Sequence, residues 1–409
     1  MGAPLLISAP SRHPSVRPKG LLLPVERRND YGYTFGGPVW IPKVYNGHDK
    51  TFYFFNFEQF RETTVINNTP ITVPTTGYRA GDFSQALTTR SATVNGITYR
   101  EGSIFDPATQ STLNGRPSRT AFVNNVIPVS RFDPVALKIQ NLIPQANFGG
   151  STALFNNYLP AYNADRKTDL TSIKMDQNMG SKGKISGFYS LTRTRSATSQ
   201  VLGADGLPDP ISQARGNFDW VHTIRINYDY NLSPSMLLHI GVGYVNQRGP
   251  TSYVPGRNDF DVASLGLTGV PYTGVFPRIT GLTGANNTGG MSTMGQSTAG
   301  TGFKSWRPSG NISLTWIKDN HTFKFGAESI IGHYTYGNLS TNRGIFNYSA
   351  NSTADAALFG QAIAGGVSVG FPYASFLLGA TDSYQIGPTT NQHMREKSFA
   401  FFAQDTWKV

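Results

Sequence analysis

The feature that most constrains this chain is side-chain alternation with period two, sustained over runs long enough to cross a lipid bilayer. In HTIRINYDYNLS, His222, Ile224, Ile226, Tyr228 and Tyr230 share one side, and Thr223, Arg225, Asn227 and Asp229 share the other. Successive side chains of an extended backbone point to opposite faces, so the run predicts a strand with one apolar, aromatic-ended face and one polar face. After a turn at Ser233 and Pro234, Met236, Leu238, Ile240, Val242 and Tyr244 alternate with Gly241 and Gly243, although Leu237 and Val245 weaken the contrast. Two such runs around a tight turn predict a β-hairpin.

The same pattern recurs twice. Thr171, Ile173 and Met175 alternate with Ser172, Lys174 and Asp176, and after GSKG at Gly180, Ile185, Tyr189 and Leu191 alternate with Ser186, Ser190 and Thr192. Ile312, Leu314 and Trp316 alternate with Asn311, Ser313 and Thr315; Lys318 to Asn320 turn, and Phe323, Phe325 and Ala327 follow in alternation with Lys324, Gly326 and Glu328. Between the hairpins lie long segments without period, residues 63–165, 248–304 and 337–372. Short turns alternating with long connections are the layout of a membrane β-barrel, short on one side and long on the other. Within the first long segment, SRFDPVALKIQNLIP predicts an amphipathic helix. Ser130 or Asp133 is its cap, Pro134 suits its first turn, and Phe132, Ala136, Ile139 and Ile143 form its apolar stripe.

Composition narrows the class. Charged residues make up 14% of the 409, against roughly 25% in an ordinary soluble domain, which disfavours both a charged disordered chain and a coiled coil. There is no cysteine, so disulfides, thiolate metal sites and a cysteine nucleophile are excluded. The net charge of +11 comes from scattered basic residues. The densest group, Arg12, Arg17, Lys19, Arg27 and Arg28, sits in a proline-interrupted stretch with no aromatic platform, so a solvated basic surface is expected and no nucleic-acid partner.

Catalytic, cofactor-binding and metal residues are not expected, and no cofactor is implied. The seven histidines, at 13, 48, 222, 239, 321, 333 and 393, lack the spacing that puts two imidazoles on one helical face. GSKGKIS at Gly180 lacks phosphate-loop spacing and sits in a hairpin turn. Asp106 with Pro107, and Asp205 to Asp209, do not amount to a calcium loop, and no GxSxG elbow is present.

With no apolar run of 18 or more residues, the chain can span a bilayer only as a barrel, whose backbone groups are all satisfied by neighbouring strands. Tyr228, Tyr230, Tyr244, Trp220, Trp316 and the cluster Phe52 to Phe57 suit interfacial girdles. A soluble β-sandwich or adhesin is the alternative, and it would need polar residues where a barrel sets Ile224, Ile226, Leu314 and Phe325 against lipid.

Residues 29–62, NDYGYTFGGPVWIPKVYNGHDKTFYFFNFEQFRE, resemble the first barrel hairpin of Oar-like TonB-dependent outer-membrane transporters, the subgroup with a carboxypeptidase-regulatory-like domain ahead of the plug. The matching words are Phe35, Gly36, Gly37 and Pro38, then Lys50, Thr51 and Phe52 through Glu58. GDFS at Gly81, FDP at Phe105 and NVIPVSRFDPVALKIQNLIP from Asn125 resemble that family's long loop. Asp176 resembles its KxD pattern, HTFKFG at His321 its strand start, and ASFLLG from Ala374 with FAFFAQDTWKV from Phe399 its mid-barrel region.

The resemblance implies an all-β fold, an incomplete antiparallel transmembrane barrel of about ten strands with long extracellular loops and one short loop helix. Residues 1–28 are expected to be unstructured or unrelated, with no signal-peptide pattern, and 29–409 to be the amino-terminal portion of the barrel. The implied location is the outer membrane, with outer-membrane lipid as partner. A TonB complex is implied only for full-length relatives, since no TonB box is evident here. The implied function is that of a transporter fragment, non-enzymatic and inactive alone, whose complete relatives move large substrates across the outer membrane; the substrate is unknown.

Overall fold

The computed structural model describes residues 26–409 apart from 68, 114, 199–206, 212–214, 254–259, 268, 271–273, 296–300, 339–342, 359–362 and 389. Nine long strands carry it: β1 (Arg27–Pro38), β2 (Thr51–Asn67), β3 (Ala161–Met179), β4 (Gly183–Thr198), β5 (Arg215–Ser233), β6 (Met236–Tyr253), β7 (Thr301–Lys318), β8 (His321–Asn338) and β9 (Thr390–Trp407). They form one antiparallel sheet in sequence order, each strand paired with the next. β1 and β9 are its two edges, and the sheet does not close on itself.

All three hairpins expected from alternation are present, as β3–β4, β5–β6 and β7–β8. Two of their turns are tightened by a residue at positive φ, Gly180 with φ 66° in β3–β4 and Asp319 with φ 51° in β7–β8. The strands run further than the alternation suggested. β2 continues to Asn67 and β3 starts at Ala161, so the connections are 68–160, 254–300 and 339–389 rather than 63–165, 248–304 and 337–372. A fourth connection, 199–214, lies between β4 and β5. Long polar and glycine-bearing strand ends carry weak periodicity, and neighbouring strands, not local sequence, keep them extended. The sheet has nine strands where about ten were expected. β1 begins at Arg27, so Arg27 and Arg28 belong to the sheet rather than to a terminal segment ending at residue 28.

The register sorts side chains cleanly. Ile226 stands opposite Gly187 and Val242, Leu314 opposite Leu238 and Phe325, and Tyr33 opposite Phe57, so these positions share one face. This apolar face holds Tyr33, Phe35, Tyr53, Phe55 and Phe57 as one contacting aromatic cluster at the β1–β2 end. Its residues are open to the surroundings: Ile226 is 48% exposed, Val242 52% and Phe325 45%. The opposite face is polar, with Lys174, Asp176, Asn227, Asp229, His239, Asn311, Lys324 and Glu328.

The hydrophobic core is not in the sheet. Among the described residues, every buried apolar side chain lies in the four long connections and none in β1–β9. These connections converge into one dome. Its helices are α1 (Thr76–Arg79), α2 (Pro134–Leu142) and α3 (Pro372–Leu377), where a single loop helix had been expected. α2 is the expected one: Asp133, not Ser130, caps it by accepting from the Ala136 N–H, and Phe132, Ala136, Ile139 and Ile143 are all buried. Ala374, expected in a mid-barrel stretch, instead lies in α3, whose every residue is buried.

The dome core unites Tyr78, Phe83 and Ile127 from the first connection, Ile211 from the second, Phe276 and Ile279 from the third, and Phe371 and Phe376 from the fourth. Each such side chain contributes roughly 1.5–3 kcal/mol by leaving water, so strands far apart in the sheet are tied together at one end. All four long connections lie at the same end, opposite the turns at 39–50, 180–182, 234–235 and 319–320.

Candidate functional site: polar face and loop dome

The polar face is built by strand parity alone. Asp176 receives Lys174 at 3.1 Å and Lys184 at 3.5 Å, one carboxylate shared by two ammonium groups from adjacent strands. Asp229 lies 2.6 Å from His239 Nδ1 across the β5–β6 pair. Gly241 fits here because a Cβ at that position would come within 2.2 Å of Asn311 Oδ1 and 3.1 Å of Asn227 Oδ1. A cavity of about 480 Å³ opens on this face beside Asp229, His239, Asn311, Lys324 and Glu328. Such a surface, mixed in charge and rich in amide and hydroxyl groups, wets readily and favours neither sign of solute.

The dome is held by buried polar side chains with every visible partner supplied by the chain. Asn125 accepts from the Ile104 N–H and donates to the Phe83 and Gly102 carbonyls, at 2.8 to 2.9 Å. Asn157 accepts from the Val73 N–H at 2.8 Å and donates to Val73 O and Ala153 O. Glu101, 1% exposed, accepts from Thr88, Arg90 and Asn286, joining the first connection to the third. Arg79 donates to the carbonyls of Gln140, Ile143 and Pro144, closing the carboxyl end of α2, and Tyr373 donates to Gln140 Oε1 at 2.7 Å.

Asp106 takes a bidentate pair of hydrogen bonds from Arg131, at 2.5 and 2.8 Å, which hold its carboxyl below the usual carboxylate range. Burial, with a hydrogen bond to Asp355, pushes the Tyr99 hydroxyl up to about 12. Burial likewise raises Tyr78 and Tyr373. All three phenols stay neutral donors and make hydrogen bonds, the usual state of a packed tyrosine. A second cavity, about 430 Å³, lies at the dome surface between Thr75, Gln145, Asn147, Phe148 and Ser151.

The residues singled out in the sequence fall into structural places. Gly180 is in the β3–β4 turn. Asp106 caps the short helical turn at Pro107–Thr109 by accepting from the Ala108 N–H. The histidines are spread along the sheet: His222 meets the Tyr189 hydroxyl at 3.0 Å, His321 meets Asp405 at 2.7 Å, His393 meets Thr335 at 3.1 Å, and His333 stacks on Trp306. His48 lies in the β1–β2 connection. Among the described residues no group of three His, Asp or Glu is placed to hold a metal. His13, Arg12, Arg17, Lys19 and Asp205 lie outside the described residues. Sequence reasoning missed Asn125 and Asn157, which gather separate stretches of the first connection, and Glu101 and Asp355, on which distant connections meet.

An apolar face turned outward, a polar face turned inward and all long connections at one end define the wall of a transmembrane β-barrel. The chain belongs to the outer membrane beta barrel domain family, which matches residues 13–409, and its place is the outer membrane. Among solved structures, the outer membrane transporter YddB from Escherichia coli aligns with a TM-score of 0.46 at 10% identity. That alignment covers 93% of this chain and 32% of the other, so the chain spans about a third of that protein's length. No curated protein matches the chain.

Proposed function

We propose that the chain is a section of the wall of a TonB-dependent, Oar-like outer-membrane transporter, with no enzymatic role, and that the wall is completed by further strands. The observation that carries this reading is the open sheet: β1 and β9 are unpaired edges, and all of β9 is exposed, with Phe401 at 83%. In hydrocarbon each orphan backbone group costs several kcal/mol, so an edge as long as β9 demands a partner strand. The polar face then lines the lumen and the dome roofs its outer mouth, where large solutes would first bind. Energy coupling to a TonB complex follows from the resemblance and belongs to the complete transporter.

The natural absence of cysteine makes a clean test. A cysteine in place of Tyr33 on β1, combined in turn with cysteines along β9 from Met394 to Phe402, reports whether the edges meet. The expected result is no intramolecular disulfide and no ion conductance from the chain alone in planar bilayers. An efficient β1–β9 disulfide would show a closed nine-stranded barrel and refute the proposal.

A further inference from the structure

The polar face is mixed in charge over most of its height, and its character changes where β5–β8 meet the dome. Asp219 on β5, Phe303 on β7 and Tyr334 and Tyr336 on β8 share the parity of Asp229, Asn311 and Glu328, so all four belong to the polar side. Each lies within five residues of the long-connection end of its strand. Gly249 on β6 stands opposite Phe303, and Phe303 stands opposite Tyr336. A Cβ at Gly249 would collide with Asp219 Oδ1, so the carboxylate occupies the space that this glycine leaves. It therefore lies over β6, about one strand spacing of 4.8 Å from the backbone that carries Phe303.

The three rings form one cluster. Phe303 has its centroid 5.1 Å from that of Tyr336 at an interplanar angle of 51°, and 6.4 Å from that of Tyr334 at 30°. Tyr336 is 46% exposed, so the cluster is open to a solute. On its far side Glu396 of β9 accepts from the Tyr334 hydroxyl at 3.3 Å. Asp219 itself has no ion pair and no side-chain hydrogen bond among the described residues. Elsewhere on this face carboxylates are matched, Asp176 by two lysines and Asp229 by His239. Among the described side chains of β5–β9 the inward lysines and arginines are Arg225, Arg307 and Lys324. Arg307, the closest in register, is four residues along β7 from Phe303, or about 13 Å.

A carboxylate without a counter-ion, set beside open aromatic faces, is the complement of a cation clothed in hydrocarbon. The rings attract its charge through their negative faces and cover its methyl or methylene groups, while the carboxylate neutralises it. A divalent metal is a poor match, since calcium takes six or more oxygens and the rings offer none. We infer that this rim binds an organic ammonium ion. The binding chemistry stands on the geometry of the rim; its place on a solute path rests on the proposed transporter wall.

The test uses the full chain folded in maltoside micelles and titrated with choline, read by saturation transfer from the protein to the choline methyl protons. The neutral comparison is 3,3-dimethyl-1-butanol, which has carbon in place of the quaternary nitrogen. Wild type should bind choline at least tenfold more tightly than this isostere. Asp219→Asn should weaken choline by about tenfold or more, and Tyr336→Leu by about fivefold. Absence of choline binding by wild type, equal binding of the two compounds, or an unchanged affinity in Asp219→Asn overturns the inference. Should Asp219→Asn not fold, the isostere comparison on wild type decides alone. Displacement of choline by potassium chloride at matched concentration would assign the rim to cations in general and overturn the organic-ammonium reading. Binding is measured without transport or closure, so its failure leaves the wall to be judged by the edge cysteines, and a closed β1–β9 edge leaves the choline result standing.

Discussion

Replacing Ile226 with arginine tests the division of the sheet into two faces. On β5 the outward girdle residues Tyr230 and Trp220 are ten residues apart, and the same spacing separates Trp316 from Trp306 on β7. At about 3.3 Å per residue and a tilt of roughly 40°, ten residues rise about 25 Å, the height of an outer-membrane apolar band. Ile226 is four residues above Tyr230, or about 10 Å into the band, within a few ångströms of its midplane. An arginine there should cost about 2–4 kcal/mol, while Tyr230→Arg, at the rim, should cost at most about 1 kcal/mol. Asn227→Arg, one residue on and facing the lumen, should cost close to nothing. The assay is a urea titration of the chain folded in maltoside micelles, followed by fluorescence of its five tryptophans. Equal losses for Ile226→Arg and Asn227→Arg would show that the two faces are not lipid and lumen, and would refute the assignment.

Phe371 packs on Tyr78 and Phe83 at ring separations of 5.1 and 5.2 Å, and Phe371→Ala should cost the dome about 3–5 kcal/mol. Hydrogen exchange should then rise together in residues 73–143 and 274–294; a rise confined to the neighbourhood of residue 371 would mean the connections do not fold as one unit. The Asp106 carboxyl, held low by Arg131, stabilises the dome above the ordinary carboxylate range, and that contribution disappears as pH falls through the depressed value. With Arg131 38% exposed, water screens the pair and the effect is on the order of 1 kcal/mol; melting curves of Asp106→Asn should be flatter than wild type in acid, and identical slopes would exclude the pair as a source of stability. At Gly241 a Cβ would meet the amide ends of Asn311 and Asn227, which can swing aside on the open polar face, so Gly241→Ala should cost at most about 0.5 kcal/mol; a clearly larger loss of resistance to urea would show that the two amides are held in place.

Much of the wall was legible because a strand with lipid on one side and water on the other must alternate, and Ile224, Ile226, Leu314 and Phe325 declare their face without reference to any neighbour. The helix at Pro134–Leu142 was legible for a similar reason: cap, proline and apolar stripe lie within one turn or two of each other. The strand ends beyond Thr63 and Gln247 were not, since they remain extended only through pairing with the next strand. The dome was invisible. Ile211, Phe276 and Phe371 sit in stretches with no period, Asn125 acquires a role only when stretches 21 to 42 residues apart meet around it, and Glu101 only when Asn286, 185 residues on, reaches it.

What the sequence determined by itself, then, is the extended backbone, the two-faced chemistry of each strand and the side of the sheet on which long connections lie, because these follow from spacing between near neighbours. Tertiary structure decided the strand order and the gathering of four connections into a single core. Each of those depends on hydrogen-bond register or on burial between distant segments, and neither quantity is written in any local stretch of residues.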